Sequence, residues 1–465
     1  MPKFAVNGQE DPMSTLCRMV TGTKYEDFPS NVIEQAKLSI LDTIAVTIGG
    51  SAMEGVAEVV DMVKAKGGKP ESVIPFYGGK VPASEAGLAI GPMSRAMDFG
   101  DIHDQAGHCS EYVIPALLAA AGLRDKVTGK ELITAYVVGS EVSIRVGMGW
   151  RINVSFPMGR GEGHATFGTV AAVGKLLGLS LGELENSQGI ARAMTQPHDL
   201  AMFSPATLIA RVHHGFICQD AINTCLLARR GITGPTREIL SGFRGYFAMA
   251  KWDTDPDKTT RDLGETWEIP NLMRKNYSSC GAMHTSIDAM LELMKEHNFQ
   301  AEDIASISIE ASPPGWQITQ PKEEKWNPKT AAECQFSIPY VVATTVYRRD
   351  IFLDSFTPEA MARREVRELM TRISVTEDKN LPNLAARVHT TLKDGSKYSK
   401  ENIYIKGHPK NPMTEQDLIN KFMKCVPYSA YKLSGEVTES LIKAILNLEE
   451  VDDVMGALIF PLTPK

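Results

Sequence analysis

The chain has 465 residues, 43% hydrophobic and 23% charged, which is enough for a large buried core and more than one domain. A formal net charge of −7 leaves no basic surplus to neutralise phosphates, so neither nucleic acid nor an anionic membrane is expected as a partner. No apolar run reaches the roughly 18 residues of a membrane span, and the opening "MPKFAVNGQEDPMS" lacks the apolar centre of a secretion signal, so a cytoplasmic protein is expected. The cysteines at 17, 109, 218, 225, 280, 334 and 425 form no close Cys-x-x-Cys pair. That suits reduced thiols better than a disulfide frame or a zinc ribbon.

Helical patterns dominate the first 250 or so residues. "PSNVIEQAKLSILDTIAVTIGG" opens with Pro29 and Ser30 as start signals and closes on Gly49 and Gly50. "SAMEGVAEVVDMVKAKGG", "GKELITAYVVGSEVSIRVGMG", "HATFGTVAAVGKLLGLS", "LGELENSQGIARAMT" and "TLIARVHHGFICQDAINTCLLARRG" repeat the plan. Their small residues allow close helix approach and their apolar faces are wide, which predicts a bundle whose inner helices are buried nearly all round. Near residue 270 the pattern changes. "IASISIEAS" alternates with period two, and "AARVHTTLKDGSKYSKENIYIKG" reads as a hairpin about Asp394 and Gly395. Helical segments at 284–295 and 330–347 lie between them, and the tail returns to helix. The expected fold is therefore mainly α: an all-helical domain from residues 1–271 and 408–465, with an inserted α+β domain at 272–407.

Five places carry side chains suited to chemistry. The stretch "MDFGDIHDQAGHCSEYVIPALLAAAG" crowds Asp98, Asp101, His103, Asp104, His108 and Glu111 before a greasy helix. Asp98, Asp101, His103 and His108 are metal-ligand types without a known metal spacing. Acidic capping of the helix explains one or two of the carboxylates. Proton transfer explains more, because a histidine beside carboxylates has a movable pKa and an oriented ring; Asp98 or Asp101 is the expected orienting group for His108. Next, "GRGEGHATFG" sets Gly159, Gly161 and Gly163 before a helix. No matching strand or acidic position supports a dinucleotide site, whereas Arg160, His164 and the helix N-terminus suit a carboxylate. "ARVHHGF" buries Arg211, His213 and His214 in an apolar helix, where a cation needs an anion. "RKNYSSCGAMHTS" flanks a small-residue turn with Lys275 and His284, and its Cys280 reads as packing. Tyr340, in "QFSIPYVVATTVY", reads as core filler whose hydroxyl needs a partner.

Taken in order along nearly the whole chain, these pieces resemble the MmgE/PrpD family. They are "LDTIAVTIGG", Asp98-Phe99-x-Asp101 with its later histidine and "PALLA" helix, "GTVAAVGKLLGLS", "RVHHG", "YSSCGAMH", "QFSIPYVVA" and "TTLKDG". The family includes 2-methylcitrate dehydratase, cis-aconitate decarboxylase and iminodisuccinate epimerase. The resemblance implies a helical domain built from both chain ends, a smaller α+β lid and a homodimer. It also implies chemistry without metal or cofactor. Carried over position by position, it puts site roles on Asp98, His108, His164, His284 and Tyr340, close together, with Asp101 beside them. His103, Arg160, Arg211, His213 and Lys275 then bind substrate. Three positions depart from the family pattern: Ile102 stands where a threonine is common, Ala210 where a lysine is common, and His164 comes about two residues late.

The expected activity is that of a cofactor-independent lyase, a dehydratase or decarboxylase, acting on a small di- or tricarboxylic acid by general acid/base proton transfer. Epimerisation of a dicarboxylate is the alternative, since it begins with the same proton abstraction. A non-catalytic carboxylate-binding homologue is the alternative of another class, and a nicotinamide-dependent oxidoreductase is a distant third.

Overall fold

The computed structural model describes residues 10–150, 162–195, 207–249 and 254–464. The chain is mainly helical, and its apolar side chains form two principal cores. The larger runs from Met13 to Leu272 and takes in Phe352, Leu353 and the segment from Leu418 to Leu462. The smaller runs from Tyr277 to Leu392.

The helices of the larger core are Pro12–Gly22, Ser30–Gly50, Val56–Lys66, Ala83–Arg95, Ser110–Ala121, Gly129–Gly149, Gly163–Leu177, Leu181–Met194, Ile209–Ala228, Glu415–Cys425 and Gly435–Leu446. Sequence signals set several of their ends. Thr128 with Glu131, Ser180 with Glu183 and Thr414 with Asp417 close capping boxes that satisfy the first backbone N–H groups. Asp11 likewise accepts from Met13 at the start of the first helix. One crossing matters most for the site. A Cβ on Gly91 would lie 2.6 Å from the Gly215 nitrogen, so only glycine lets Ala83–Arg95 and Ile209–Ala228 come this close. That approach brings the segment bearing Arg211, His213 and His214 towards Arg95.

The smaller core covers a four-stranded sheet ordered Ile373–Glu377, Ile304–Ala311, Ala386–Leu392, Lys397–Asn402. The first pair is parallel and the other two are antiparallel. Alternating burial in Ala386–Leu392 matches the period of two in its sequence. The expected helix at 330–347 is split into Ala331–Gln335 and Ile338–Arg348. The Ser337 hydroxyl caps the second piece and Pro339 sits in its first turn, where its missing N–H is not needed.

The acidic stretch differs from a plain loop. Ile102–His103 and Gly107–His108 form a short antiparallel hairpin. Ile102 and His103 also pair with Met273 and Leu272, and this third strand leads directly to Lys275. A backbone ladder thus joins two segments separated by about 170 residues of sequence.

Candidate active site

Asp98 sits just beyond the Ala83–Arg95 helix at φ 48°, in the left-handed region that costs an L-residue on the order of 1 kcal/mol and that Asp tolerates better than most. The bend turns its carboxylate onto two cations. Asp98 Oδ1 is 2.5 Å from Arg95 Nη1 and 2.9 Å from Lys275 Nζ, and all three side chains are buried. These charges hold the Asp98 carboxyl far below its usual range despite the opposing cost of burial. Among the described residues Asp98 Oδ2 has no hydrogen-bond partner.

His108 lies beside this cluster, with Nε2 3.9 Å from Asp98 Oδ1 and Nδ1 2.7 Å from Glu111 Oε2. The Glu111 contact is a close charge–imidazole approach and not an in-line hydrogen bond. Glu111 is fully buried, and its other oxygen accepts from the Gly100 N–H at 3.0 Å. Burial raises its pKa, but His108 and Arg95 more than offset this and bring it to about 2. The orienting carboxylate for His108 is therefore Glu111, which replaces the expected Asp98 or Asp101.

Asp101 has another task. It accepts from both the backbone N–H and the hydroxyl of Ser110, capping the following helix from nine residues upstream. Burial pushes its pKa up to about 6 against those hydrogen bonds. His103 is also used locally: its Nδ1 accepts from the backbone N–H groups of Gln105 and Ala106, closing the hairpin turn, while Nε2 faces Glu268 at 3.5 Å. Asp98, Asp101, His103 and His108 thus have separate partners and do not converge as a ligand set. Among the described residues, metal-ligand spacing occurs at Glu162, His213 and His214, whose donor atoms lie within 4.8 Å of one another.

His164 is fully buried in the first turn of Gly163–Leu177. A Cβ on Gly147 would meet both Ala106, at 2.8 Å, and the His164 ring, at 3.3 Å, so His164 lies close to the hairpin. His284 opens the His284–Glu296 helix; its Nε2–H donates to the Ser279 carbonyl, and its Nδ1 has no hydrogen-bond partner among the described residues. Burial, with Lys275 nearby, pushes its pKa down to about 3 and keeps the ring neutral. Arg211 is buried, donates Nη1 to the Glu54 carbonyl at 3.1 Å, and among the described residues has no hydrogen-bond partner for Nε and Nη2. Arg160 lies outside the described residues. His213 Nε2 meets Glu162 Oε2 at 2.5 Å, so this call falls on a histidine engaged with a carboxylate.

Tyr340 is buried in the smaller core. Its hydroxyl donates to the Ser355 carbonyl and its ring packs near Phe356 and Arg367. Sequence reading missed three contributors, Arg95, Glu162 and Lys421, and saw Glu111 in the acidic stretch without giving it a role. Arg95 and Glu111 stood three residues from Asp98 and His108, a helix-neighbour spacing that could have exposed them. Lys421, from Glu415–Cys425, donates to the carbonyl oxygens of Phe99 and Lys275 at 2.7 and 2.9 Å and pairs with buried Asp42 at 2.7 Å. It thereby ties together the backbones carrying both halves of the Asp98–Lys275 pair.

A mainly helical protein with buried imidazole–carboxylate and cation–carboxylate contacts is the class these observations define. Residues 14–258 match the model of the MmgE/PrpD N-terminal domain, and residues 277–447 match that of the MmgE/PrpD C-terminal domain. The chain belongs to the MmgE/PrpD family. It is 28% identical to the cis-aconitate decarboxylase-like protein oryM of Aspergillus oryzae, over 95% of each chain. It is 25% identical to cis-aconitate decarboxylase of Aspergillus terreus, over 97% of this chain and 96% of that one. The cis-aconitate decarboxylase of Mus musculus is also 25% identical, over 94% of this chain and 90% of its own.

Proposed function

We propose that this protein is a cofactor-independent lyase that moves a proton beside a carboxylate of a small di- or tricarboxylic acid. The observation that carries the reading is the His108 imidazole, set between Glu111 and the doubly neutralised Asp98. A carboxylate at Nδ1 favours the proton on that nitrogen and leaves Nε2 to take or deliver another. Arg211 offers two buried N–H edges suited to a substrate carboxylate, and Asp98 Oδ2 and His284 Nδ1 offer acceptors for a substrate hydroxyl or acid proton. Lys275 acts mainly by neutralising Asp98. The curated relatives, named for cis-aconitate decarboxylation, support a lyase on a substrate of this kind.

In this reading residues 1–271 and 408–465 make the helical domain, 272–407 the lid, and the working form is a cytoplasmic homodimer. The function is tested by incubating the protein with malate, citrate and cis-aconitate in heavy water and following deuterium uptake and product by mass spectrometry. Label or product with at least one acid, lost in His108→Asn and unaffected by EDTA, is the expected result. An inert protein, or activity restored only by a divalent ion, would overturn it.

A further inference from the structure

We propose that Glu162, His213 and His214 form a second proton-transfer group, separate from His108, so that the reaction uses two proton movements at different atoms or opposite faces of the substrate. This rests on the acid/base function proposed above and deepens it.

The partners define where protons must be. His213 Nδ1 faces the Ile209 carbonyl at 3.2 Å, and a carbonyl oxygen only accepts, so Nδ1 carries hydrogen. The opposite nitrogen, Nε2, lies 2.5 Å from Glu162 Oε2. Two lone pairs cannot face each other at that distance, so a further proton lies between them, on the imidazole or on the carboxylate. His214 Nε2 approaches the same oxygen at 3.2 Å, while His214 Nδ1 has no hydrogen-bond partner among the described residues. A carboxylate oxygen accepts, so His214 donates its Nε2–H to Glu162. One buried carboxylate thus takes a fixed proton from one side and a transferable proton from the other.

The cluster lies close to the first group and is not wired to it. The His213 and His214 ring centres are 4.4 Å apart, and those of His214 and His108 6.0 Å apart at 67°, an edge contact without a hydrogen bond. Tyr112 packs on His214 at 4.4 Å and fixes it between the two groups. The Arg95 charge acts on both Glu111 and Glu162. Two imidazole–carboxylate groups within the reach of one small acid serve reactions that need both. In loss of water, His108 takes the C–H proton beside the carboxylate and the freed electron pair forms the C=C bond. The C–O bond then breaks, and the leaving hydroxide takes the second group's proton to become water. In epimerisation the second group returns a proton to the opposite face of the same carbon. Simple loss of CO2 needs only one protonation.

A divalent ion could use the same donors, but at about 2.1 Å from each it would need them farther apart than 2.5 Å. The spacing suits a proton.

Glu162→Gln and His213→Gln, each checked for native thermal unfolding, should retain C–H deuterium exchange within about threefold of the unmodified protein while net product falls about 100-fold or more. His108→Asn should lose both. Exchange and product falling together in the cluster variants, or neither falling, would overturn the proposal. So would a stoichiometric metal in the unmodified protein that both variants lose. A far-downfield proton NMR resonance, lost in both variants, is expected independently of turnover; its absence also overturns the proposal. If the protein is inert towards every acid, the underlying function fails, and the resonance alone decides the cluster.

Discussion

Glu111 Oε2 reaches His108 Nδ1 at 2.7 Å from the first turn of the helix that follows the hairpin. Because that helix is buried along its whole length, the carboxylate holding the ring is fixed by the core and not by the loop. His108→Asn should lower kcat by about 10²–10⁴ with a native circular dichroism spectrum. Glu111→Gln keeps an oxygen for the Gly100 N–H, so its loss of kcat should come with a shifted pH–rate profile instead of unfolding. Near-native kcat in both variants would remove His108 from the chemistry.

Asp98→Asn isolates a charge effect, because asparagine also tolerates the left-handed backbone found there. It leaves Arg95 and Lys275 buried around a neutral amide. Removing one partner from buried ion pairs typically costs about 3–5 kcal/mol. Denaturant titration should show a loss of that order. A change below about 1 kcal/mol would mean that water reaches the two cations.

Arg211→Met should raise KM by roughly 10- to 100-fold, the value of hydrogen bonds to a charged group, with a smaller change in kcat. Stability should hold, because the guanidinium has few protein partners to lose. Arg211→Lys should recover only part of the affinity, since an ammonium lacks the planar fork that grips a carboxylate. Unchanged KM in the methionine variant would sink the assignment.

Acid should weaken the fold from about pH 6.5 downwards. His214 and His284 have folded pKa values near 3 against ordinary values of 6.5, so in that window the unfolded chain binds protons that the native one refuses. Each contributes a loss of about 1.4 kcal/mol per pH unit. Asp101, raised to about 6, binds a proton in the folded state and opposes one of the two between pH 6 and 3.8. Below about pH 4.5 the depressed Glu111 adds its own loss, because the stability it contributes is present above its unfolded pKa and disappears as pH falls towards 2. Urea midpoints should fall between pH 7 and 5 and more steeply below 4.5. A midpoint that rises on acidification to pH 5 would contradict this account.

Tyr340→Phe should leave kcat within about twofold and cost about 1 kcal/mol, the net worth of its bond to the Ser355 carbonyl. A hundredfold loss of kcat would return the tyrosine to the site.

Much of this was legible in the sequence because periodicity reports burial. The helices Ser30–Gly50, Val56–Lys66, Gly129–Gly149, Gly163–Leu177, Leu181–Met194 and Ile209–Ala228, the Ile304–Ala311 strand and the hairpin at Gly395 follow directly from apolar spacing and turn residues, whereas the Ala83–Arg95 helix was not read. The acidic stretch was visible as a place, but the roles within it were not. Asp101 and Glu111 are the same chemistry ten residues apart, and only the fold shows that one caps a helix and the other faces His108. Glu162 and Lys421 were hidden for a different reason: their partners are 51 and 146 or more residues away, a separation that no local pattern encodes.

Lys421 also sets a timetable. The Phe99 carbonyl that it holds is made 322 residues earlier, which at about 5–20 residues per second is a wait of roughly 15–65 s on the ribosome. Through that interval Asp42 lacks the Lys421 ammonium, and the segments bearing Asp98 and Lys275 are held by their backbone ladder and their own ion pair alone. The clamp on their two carbonyls closes only once the Glu415–Cys425 helix has emerged.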